Sequence, residues 1–516
     1  MLQRILRKQP ELAAAFNRGK RATSEDIRAI VVSPTRELAE QIAVEASKLV
    51  RGTGIVVQCA VGGTQKQAML RKTQREGCHI LVATPGRLHD LLSDPSARIA
   101  APNLEALVLD EADRMMETGF SEELRNIIEF LPNRAEVPRQ TLLFSATIPK
   151  NVIGLARSYI DPRNFEFVQT IKEDEVQTHE RVLQKIVPCK GLINVIPTLM
   201  ELVERETKRA MERGGGPFKA IIFLPTTATV QLVEGLYRRL KYHDRSLPMS
   251  WEIHSRLSQN QRTRSADDFR KARSGLLISS DVTARGMDFP NITHVIQVHL
   301  PRDRETYIHR LGRTARAGKD GEGWLIIPDM EVNEARSRLP GLPIQRDTSL
   351  ECASVDVRDA GMHEQFEKVK DAAARLPEHI VPDAYRSLLG GLQCSKRDLV
   401  EQLNEWVLEG LGASELPVVS PKIAQQLGLS ANLNLGHQQR DHRIGHGRPG
   451  GSRNFGGRSE DPFEARLGGA MQSDRGFGNR GRGRGGFSRG GHRGGRDRFS
   501  RGGSSGGGWG HSESSF

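Results

Sequence analysis

Short apolar runs, each handed on to a stretch of helical period, constrain this chain more than any other feature. Between residues 27 and 147 such runs stand at 29–32, 54–61, 79–82, 107–109 and 141–144, with helical patterns such as 37–50 and 65–75 between them. Strands that alternate with helices bury both faces of a mostly parallel sheet, so the segment predicts a doubly wound α/β domain. A second series at 220–224, 251–254, 276–279, 294–298 and 324–327 predicts another. The polar, acidic stretch 170–180 reads as a linker between them, and MERGGGP at 211–217 as a surface loop of the second domain. After Pro340 the strand pattern stops, and 362–374 and 396–408 read as amphipathic helices of a smaller extension. The predicted organisation is therefore a first α/β domain over 1–168, a linker over 169–182, a second α/β domain over 183–340, a helical extension over 341–430 and a tail over 431–516.

Composition sets the tail apart. Lys plus Arg number 75 against 63 Asp plus Glu, a formal charge of +12. Residues 431–516 hold 15 Arg, no Lys and 7 acids, so 15 − 7 = +8 of that charge lies in the last sixth of the chain. Arg-Gly-Gly recurs at Arg484, Arg489, Arg493 and Arg501, with Phe455, Phe463, Phe477, Phe487, Phe499 and Trp509 set among the glycines. Such a segment buries too little apolar surface to offset its chain entropy and is expected to be disordered. Guanidinium groups that pair with phosphates, with aromatics to stack on bases, suit single-stranded RNA; the plainer reading is a solubilising spacer. No apolar run approaches the ~18–20 residues that span a bilayer, which excludes an integral membrane protein of helical type. The five cysteines (Cys59, Cys78, Cys189, Cys352, Cys394) form no CxxC and no Cys/His cluster, so reduced, mostly buried thiols are expected rather than disulfides or zinc.

In open α/β sheets, ligands sit beyond the carboxyl ends of the strands. The residues that follow the runs are Ser33-Pro34-Thr35-Arg36-Glu37-Leu38-Ala39, Thr84-Pro85-Gly86-Arg87, Asp110-Glu111-Ala112-Asp113 and Ser145-Ala146-Thr147. In the second series Ser280-Asp281 leads into Ala284-Arg285-Gly286-Met287-Asp288, and His309-Arg310-Leu311-Gly312-Arg313-Thr314-Ala315-Arg316 follows. Each motif has a bland reading alone: an acidic pair at a helix start complements the dipole, a Ser or Thr caps, an arginine is surface charge. Six in this order, each at a strand end or helix start, are not chance.

The series resembles the DEAD-box RNA helicases of superfamily 2, over roughly residues 25–330. The helical extension and basic tail look most like the fungal mitochondrial branch, described as RNA chaperones in intron splicing. The resemblance implies two RecA-like domains in tandem, ATP and Mg²⁺ as cofactors, RNA as partner and the mitochondrial matrix as location. It implies that Asp110 holds Mg²⁺ through water, and that Glu111 orients and deprotonates the attacking water. Asp113, Ser145 and Thr147 would form a polar network that couples hydrolysis to domain closure, with His309 contacting the acidic motif. Arg313 and Arg316, three apart and so on one face of a helix, would stabilise charge on the γ-phosphoryl group. Asp288 would accept from the ribose hydroxyls, and the backbone of Gly286 would approach phosphate.

Positions matching RNA-gripping motifs are Pro34, Thr35, Arg36, Gly62, Gly63, Thr84, Gly86 and Arg87 in the first domain. In the second they are Thr226, Gln261, Arg264, Ser280 and Asp281, with Ser280 where the family more often has Thr. Contacts of this kind carry no base code, so RNA binding by the core is expected to be sequence-independent.

One expected part is missing. The only Gly-Lys pairs, Gly19-Lys20 and Gly318-Lys319, do not complete the phosphate-cradling G-x-x-x-x-G-K-[ST] loop, and only 33 residues precede Pro34. In the family that loop and an adenine-reading Gln segment lie upstream of the Pro-Thr-Arg-Glu motif. The expectation is therefore a chain beginning just after them, with weakened ATP binding, an unpaired apolar sheet edge and an unstable first domain. Residues 2–8 look like the helix that follows the loop; the rival is a mitochondrial presequence, since residues 1–23 carry six basic residues and one acid. Three functions stand: an ATP-dependent RNA helicase and chaperone, an RNA-binding remnant without catalysis, and a DNA helicase, which the DEAD and Ser-Ala-Thr motifs and the tail disfavour. The sequence says nothing of oligomeric state.

Overall fold

A computed structural model describes residues 1–14, 22–63, 65–117, 119–147, 150–161, 164–169, 181–212, 216–284, 287–357, 363–392, 394–429 and 435–436. All belong to one compact unit, Met1–Arg440. The expected linker core 170–180, Gly286 and nearly all of the Arg/Gly tail lie outside the described residues.

The chain opens with helix α1 (Leu2–Lys8) and then builds strands β1 (Ala29–Val32), β2 (Val57–Ala60), β3 (Ile80–Ala83), β4 (Ala106–Leu109) and β5 (Gln140–Leu143). Between and after them come α2 (Arg36–Leu49), α3 (Lys66–Glu76), α4 (Pro85–Leu92), α5 (Ala112–Glu117), α6 (Ser121–Glu129) and α7 (Lys150–Tyr159). The five strands form a parallel sheet in the order β2-β3-β1-β4-β5. Because side chains alternate across a strand, the sheet feeds two cores. Ile30, Val32, Leu81, Ala83, Leu107 and Leu109 pack with Leu88, Leu124, Ile127 and Val152. Ala29, Val31, Ile80, Val82 and Val108 pack with Ile5, Ala39 and Ala43. Residues 2–8 are thus a helix seated on the sheet, with Ile5 1 % exposed. β5 is an edge strand among the described residues; its Leu142 and Leu143 are half-buried and the adjacent Phe144 is exposed.

The second sheet uses β6 (Val182–Cys189), β7 (Lys219–Phe223), β8 (Ser250–Ile253), β9 (Gly275–Ser279), β10 (His294–Val298), β11 (Gly321–Pro328) and β12 (Ile344–Arg346). Its order is β12-β6-β11-β10-β7-β9-β8, all parallel. The helices are α8 (Leu192–Glu212), α9 (Thr227–His243), α10 (Gln259–Lys271), α11 (Arg304–Leu311) and α12 (Val332–Arg338), followed by α13 (Glu364–Ala373), α14 (Ile380–Gly391), α15 (Lys396–Glu405) and α16 (Pro421–Gln426).

Three expectations need correcting. β6 begins at Val182, inside the span read as linker, and opens the second sheet ahead of the run at 220. The strand pattern does not stop at Pro340, because β12 adds an edge beside β6. The extension is not a separate body either. Val369, Tyr385, Leu388, Leu403 and Trp406 share one continuous core with Ile222, Ile278, Ile296 and Trp324 of the sheet and with Leu199 of α8. Each such fully buried side chain contributes about 1.5–3 kcal/mol of burial free energy, so this layer is integral to the second domain. All five cysteines are free thiols, and Cys78, Cys189 and Cys352 are buried.

Candidate nucleotide and RNA site

The ends of β4 and β5 bring the acidic motif together. Asp110 follows β4, and its Oδ1 accepts from the Glu111 amide at 3.0 Å. That local bond supports a left-handed backbone at Glu111, φ 49°, a conformation that costs a non-glycine residue roughly 1–2 kcal/mol and concentrates at functional sites. Helix α5 then starts at Ala112, whose amide donates to the Phe144 carbonyl at 3.0 Å. Asp113, 2 % exposed, accepts from Thr147 Oγ1 at 3.1 Å, and its amide donates to Ser145 Oγ at 3.3 Å. Ser145 Oγ donates in turn to the Thr147 carbonyl at 2.6 Å. Burial, with the nearby Asp113 charge, raises the Asp110 carboxyl above its ordinary value, against the pull of the Glu111 amide. A carboxylate disfavoured in this way gains from a cation. No cluster of three or more His, Cys, Asp or Glu ligands occurs among the described residues. Hard oxygen donors without a protein cage fit Mg²⁺, which one or two carboxylates hold together with water and substrate phosphates.

The facing residues come from the second sheet. His309 Nε2 lies 3.6 Å from Asp113 Oδ2, so α11 touches the acidic motif directly. The expectation that Arg313 and Arg316 share a helical face is corrected: α11 ends at Leu311, and Ala315 takes φ 54°. The two guanidiniums converge through that left-handed turn instead. Arg313 Nη1 donates to the Met287 carbonyl at 2.8 Å, and Arg316 Nη1 pairs with Asp288 Oδ1. Asp288 therefore has its carboxylate on Arg316 in this structure.

The RNA-motif residues of the first domain cluster. Thr35 caps α2, accepting from Leu38 N at 3.3 Å. The Arg36 side chain lies across Gly62 and Gly63, and Gly63 takes φ 77°, a left-handed backbone that favours glycine. Burial lowers the Arg36 pKa, the Arg262 and Arg87 guanidiniums add to the effect, and Glu37 opposes it. Of these, Arg262 is held by Glu37 at 2.7 Å and Arg87 lies 3.6 Å from Asp90. Pro34 and Thr84 are buried, and Gly86, just after the N-cap Thr84, has open space where a side chain would stand.

The second-domain set is more dispersed. Thr226 caps α9 and its hydroxyl meets Ser387 of α14 at 2.8 Å. Ser280 is half-buried beyond β9. Asp281 is engaged by Arg310 Nε at 2.7 Å; burial pushes its carboxyl up, but the guanidinium outweighs this and holds it below the ordinary value. Gln261 closes the capping box of its own helix with Ser258, and Arg264 points outward, 86 % exposed, 3.9 Å from Asp268.

Two residues earlier in the same QNQRTR string, sequence reasoning missed the partners that reach the first domain. Arg262 Nη1 pairs with Glu37 Oε1 at 2.7 Å, and Gln259 Nε2 reaches both Glu37 and Glu40 at 3.4 Å. The capping box explains Gln261 alone; nothing local marks Gln259 and Arg262, which are buried against partners far away in the chain.

Comparison with known proteins agrees with this geometry. The DEAD/DEAH box helicase family matches residues 10–155, and the helicase conserved C-terminal domain matches residues 199–318. The chain is 56% identical over 485 residues to the mitochondrial ATP-dependent RNA helicase cyt-19 of Neurospora crassa, covering 92% of this chain and 77% of that protein. It is 47% identical over 436 residues to the mitochondrial ATP-dependent RNA helicase mss116 of Aspergillus fumigatus, covering 82% of this chain and 66% of that protein. A structure of Mss116p bound to ssRNA and AMP-PNP superposes with a TM-score of 0.67 at 30% identity, over 78% of this chain and 80% of that one.

Proposed function

The chain belongs to the DEAD-box ATP-dependent RNA helicases, and from that premise we propose how its own residues divide the work of hydrolysing ATP to separate short RNA duplexes. Glu111 orients the attacking water and takes its proton, a role that the left-handed turn after Asp110 suits by fixing the carboxylate at the strand end. Asp110 holds Mg²⁺, which when bound neutralises charge on the phosphate oxygens. Arg313 and Arg316 stabilise the charge that develops on the transferred phosphoryl group, worth about 10³–10⁵ in rate for arginines of this kind. Asp288, released from Arg316, accepts from the ribose, and the backbone of Gly286 approaches phosphate.

The Ser145–Thr147–Asp113 network passes the state of the acidic motif to His309. Single-stranded RNA lies on Pro34, Thr35, Arg36, Gly62, Gly63, Thr84, Gly86 and Arg87 and on Thr226, Gln261, Arg264, Ser280 and Asp281. These contacts are made through backbone, hydroxyl and guanidinium groups and so without base specificity. The segment 431–516 adds single-strand binding. The domain limits read from the sequence stand as part of this proposal, with the second domain extended to take in β6, β12 and the helical layer of α13, α14 and α15. The two fungal relatives are named as mitochondrial, and we assign this chain to the mitochondrial matrix. No helix among the described residues is long and apolar enough to cross a membrane.

One observation carries the reading: His309 on Asp113 joins the helix that precedes Arg313 to the loop that holds Glu111. The test is RNA-stimulated ATP hydrolysis by the full chain against Glu111→Gln. The variant is expected to lose at least about 10²-fold in kcat while keeping its affinity for single-stranded RNA. If neither chain hydrolyses ATP and both bind RNA, the catalytic assignment is wrong, and a protein that only holds RNA remains.

A further inference from the structure

Glu37, Glu40 and Gln41 stand at i, i+3 and i+4 of α2, hence on one face, and each reaches the second domain. Glu37 meets Arg262 at 2.7 Å, with both side chains less than a tenth exposed. Thr263 Oγ1 donates to Glu40 Oε2 at 3.2 Å. Gln41 Oε1 accepts from the backbone amide of Asp288 at 3.0 Å. Asp288 in turn holds Arg316 through its carboxylate. The same rigid helix begins at Thr35 and Arg36, among the clustered guanidiniums. One face of a fourteen-residue helix therefore spans from Thr35 and Arg36 to the loop that holds Arg316.

We propose that Glu40 and Gln41 of α2, with Thr263 opposite, form a coupling ridge. RNA seated on Thr35 and Arg36 fixes α2, and Gln41 then fixes the Asp288 loop and with it Arg316. Gln41 and Thr263 are positioning residues, since neither touches the reacting atoms. The inference rests on the RNA-stimulated hydrolysis assigned above.

Isosteric substitutions isolate the two bonds. Gln41→Met removes the acceptor and Thr263→Val removes the donor, whereas Thr263→Ser keeps it. Gln41→Met and Thr263→Val are each expected to lower RNA-stimulated kcat about three- to tenfold, the range of one hydrogen bond. The KM for RNA and the melting temperature should stay unchanged, and Thr263→Ser should restore the rate. A merely structural role would lower the melting temperature as well, and unchanged stimulation in both variants overturns the proposal.

A second measurement needs no hydrolysis. Cys59 lies close enough to feel the charge of Glu40, so a disulfide trap of Glu40→Cys with Thr263→Cys is built in a Cys59→Ser background. Single-stranded RNA with a non-hydrolysable ATP analogue should accelerate its closure, and adding Gln41→Met should slow it several-fold. Equal trapping with and without Gln41→Met refutes the ridge even in a chain that hydrolyses no ATP, whereas absent hydrolysis with Gln41-dependent trapping refutes only the catalytic assignment.

Discussion

In the first α/β domain one layer of helices covers each face of the sheet: α1 and α2 on one side, α4, α6 and α7 on the other. In the second domain α8 and α9 cover one face and are themselves covered by α13, α14 and α15, so that Trp406 and Tyr385 belong to the same core as the strands. The other face of that sheet is filled in two patches, around Phe269 with Phe223 and around Tyr307 with Leu325. The plan is shared, and the insulation differs. The cleft draws Glu111, Asp113 and Arg36 from the thinly covered domain and the arginines from the thickly covered one. The site is therefore assembled from one domain with a single helical layer on each face and one whose sheet is covered twice on one side.

The largest expected effect tests whether the extension really is part of the second domain. Trp406 is 2 % exposed against that shared core. Trp406→Ala should cost about 3–5 kcal/mol and lower the urea midpoint of the transition that reports the second sheet. If the extension instead unfolds by itself and that transition keeps its midpoint, the shared core is wrong.

The two domains also differ in where their strained carboxyls lie. Raised carboxyls in the first domain, Asp110 and Glu40, stand in the cleft. The second domain buries one between α9 and β8. Burial pushes the Glu234 carboxyl up to about 7 from 4.5, even though it accepts from Arg238 and Ser250. Between these two values the folded chain keeps a proton that the unfolded chain releases. Stability is therefore fullest below pH ~4.5 and falls as pH rises through 7, by on the order of 3 kcal/mol for this group. Glu234→Gln should flatten that slope in urea titrations across pH 5–8, and a slope that survives the substitution assigns it elsewhere.

What could be read from the sequence follows the same division. Strands buried on both faces, such as AIVV of β1 and the AIIF of β7, are unbroken apolar runs and announce themselves. In β6 the run is interrupted by Gln184 and Lys185 and closed by Pro188, and β12 is three residues with two exposed, so neither carries a period. In α14 the pattern is blurred by Pro382, Gly390 and Gly391. The amphipathic faces of α13 and α15 are legible, but periodicity does not say what they cover, which is why the extension reads as separate. At the site, every strand-end motif is visible because its chemistry is local. Gln259, Arg262 and Gln41 are not, since their partners lie more than two hundred residues away.

The smallest effect concerns the edge of the first sheet. Leu142 on β5 pairs with β4 alone among the described strands and is half-buried, whereas Leu277 on β9 is fully buried between β7 and β8. The same truncation should therefore cost different amounts. Leu277→Ala loses a complete apolar burial and leaves a cavity, about 2–5 kcal/mol. Leu142→Ala loses part of a burial that solvent refills, about 1 kcal/mol. Equal costs in paired urea melts would mean that β5 is covered in solution, and the contrast between a thin and a thick domain would lose its clearest structural mark.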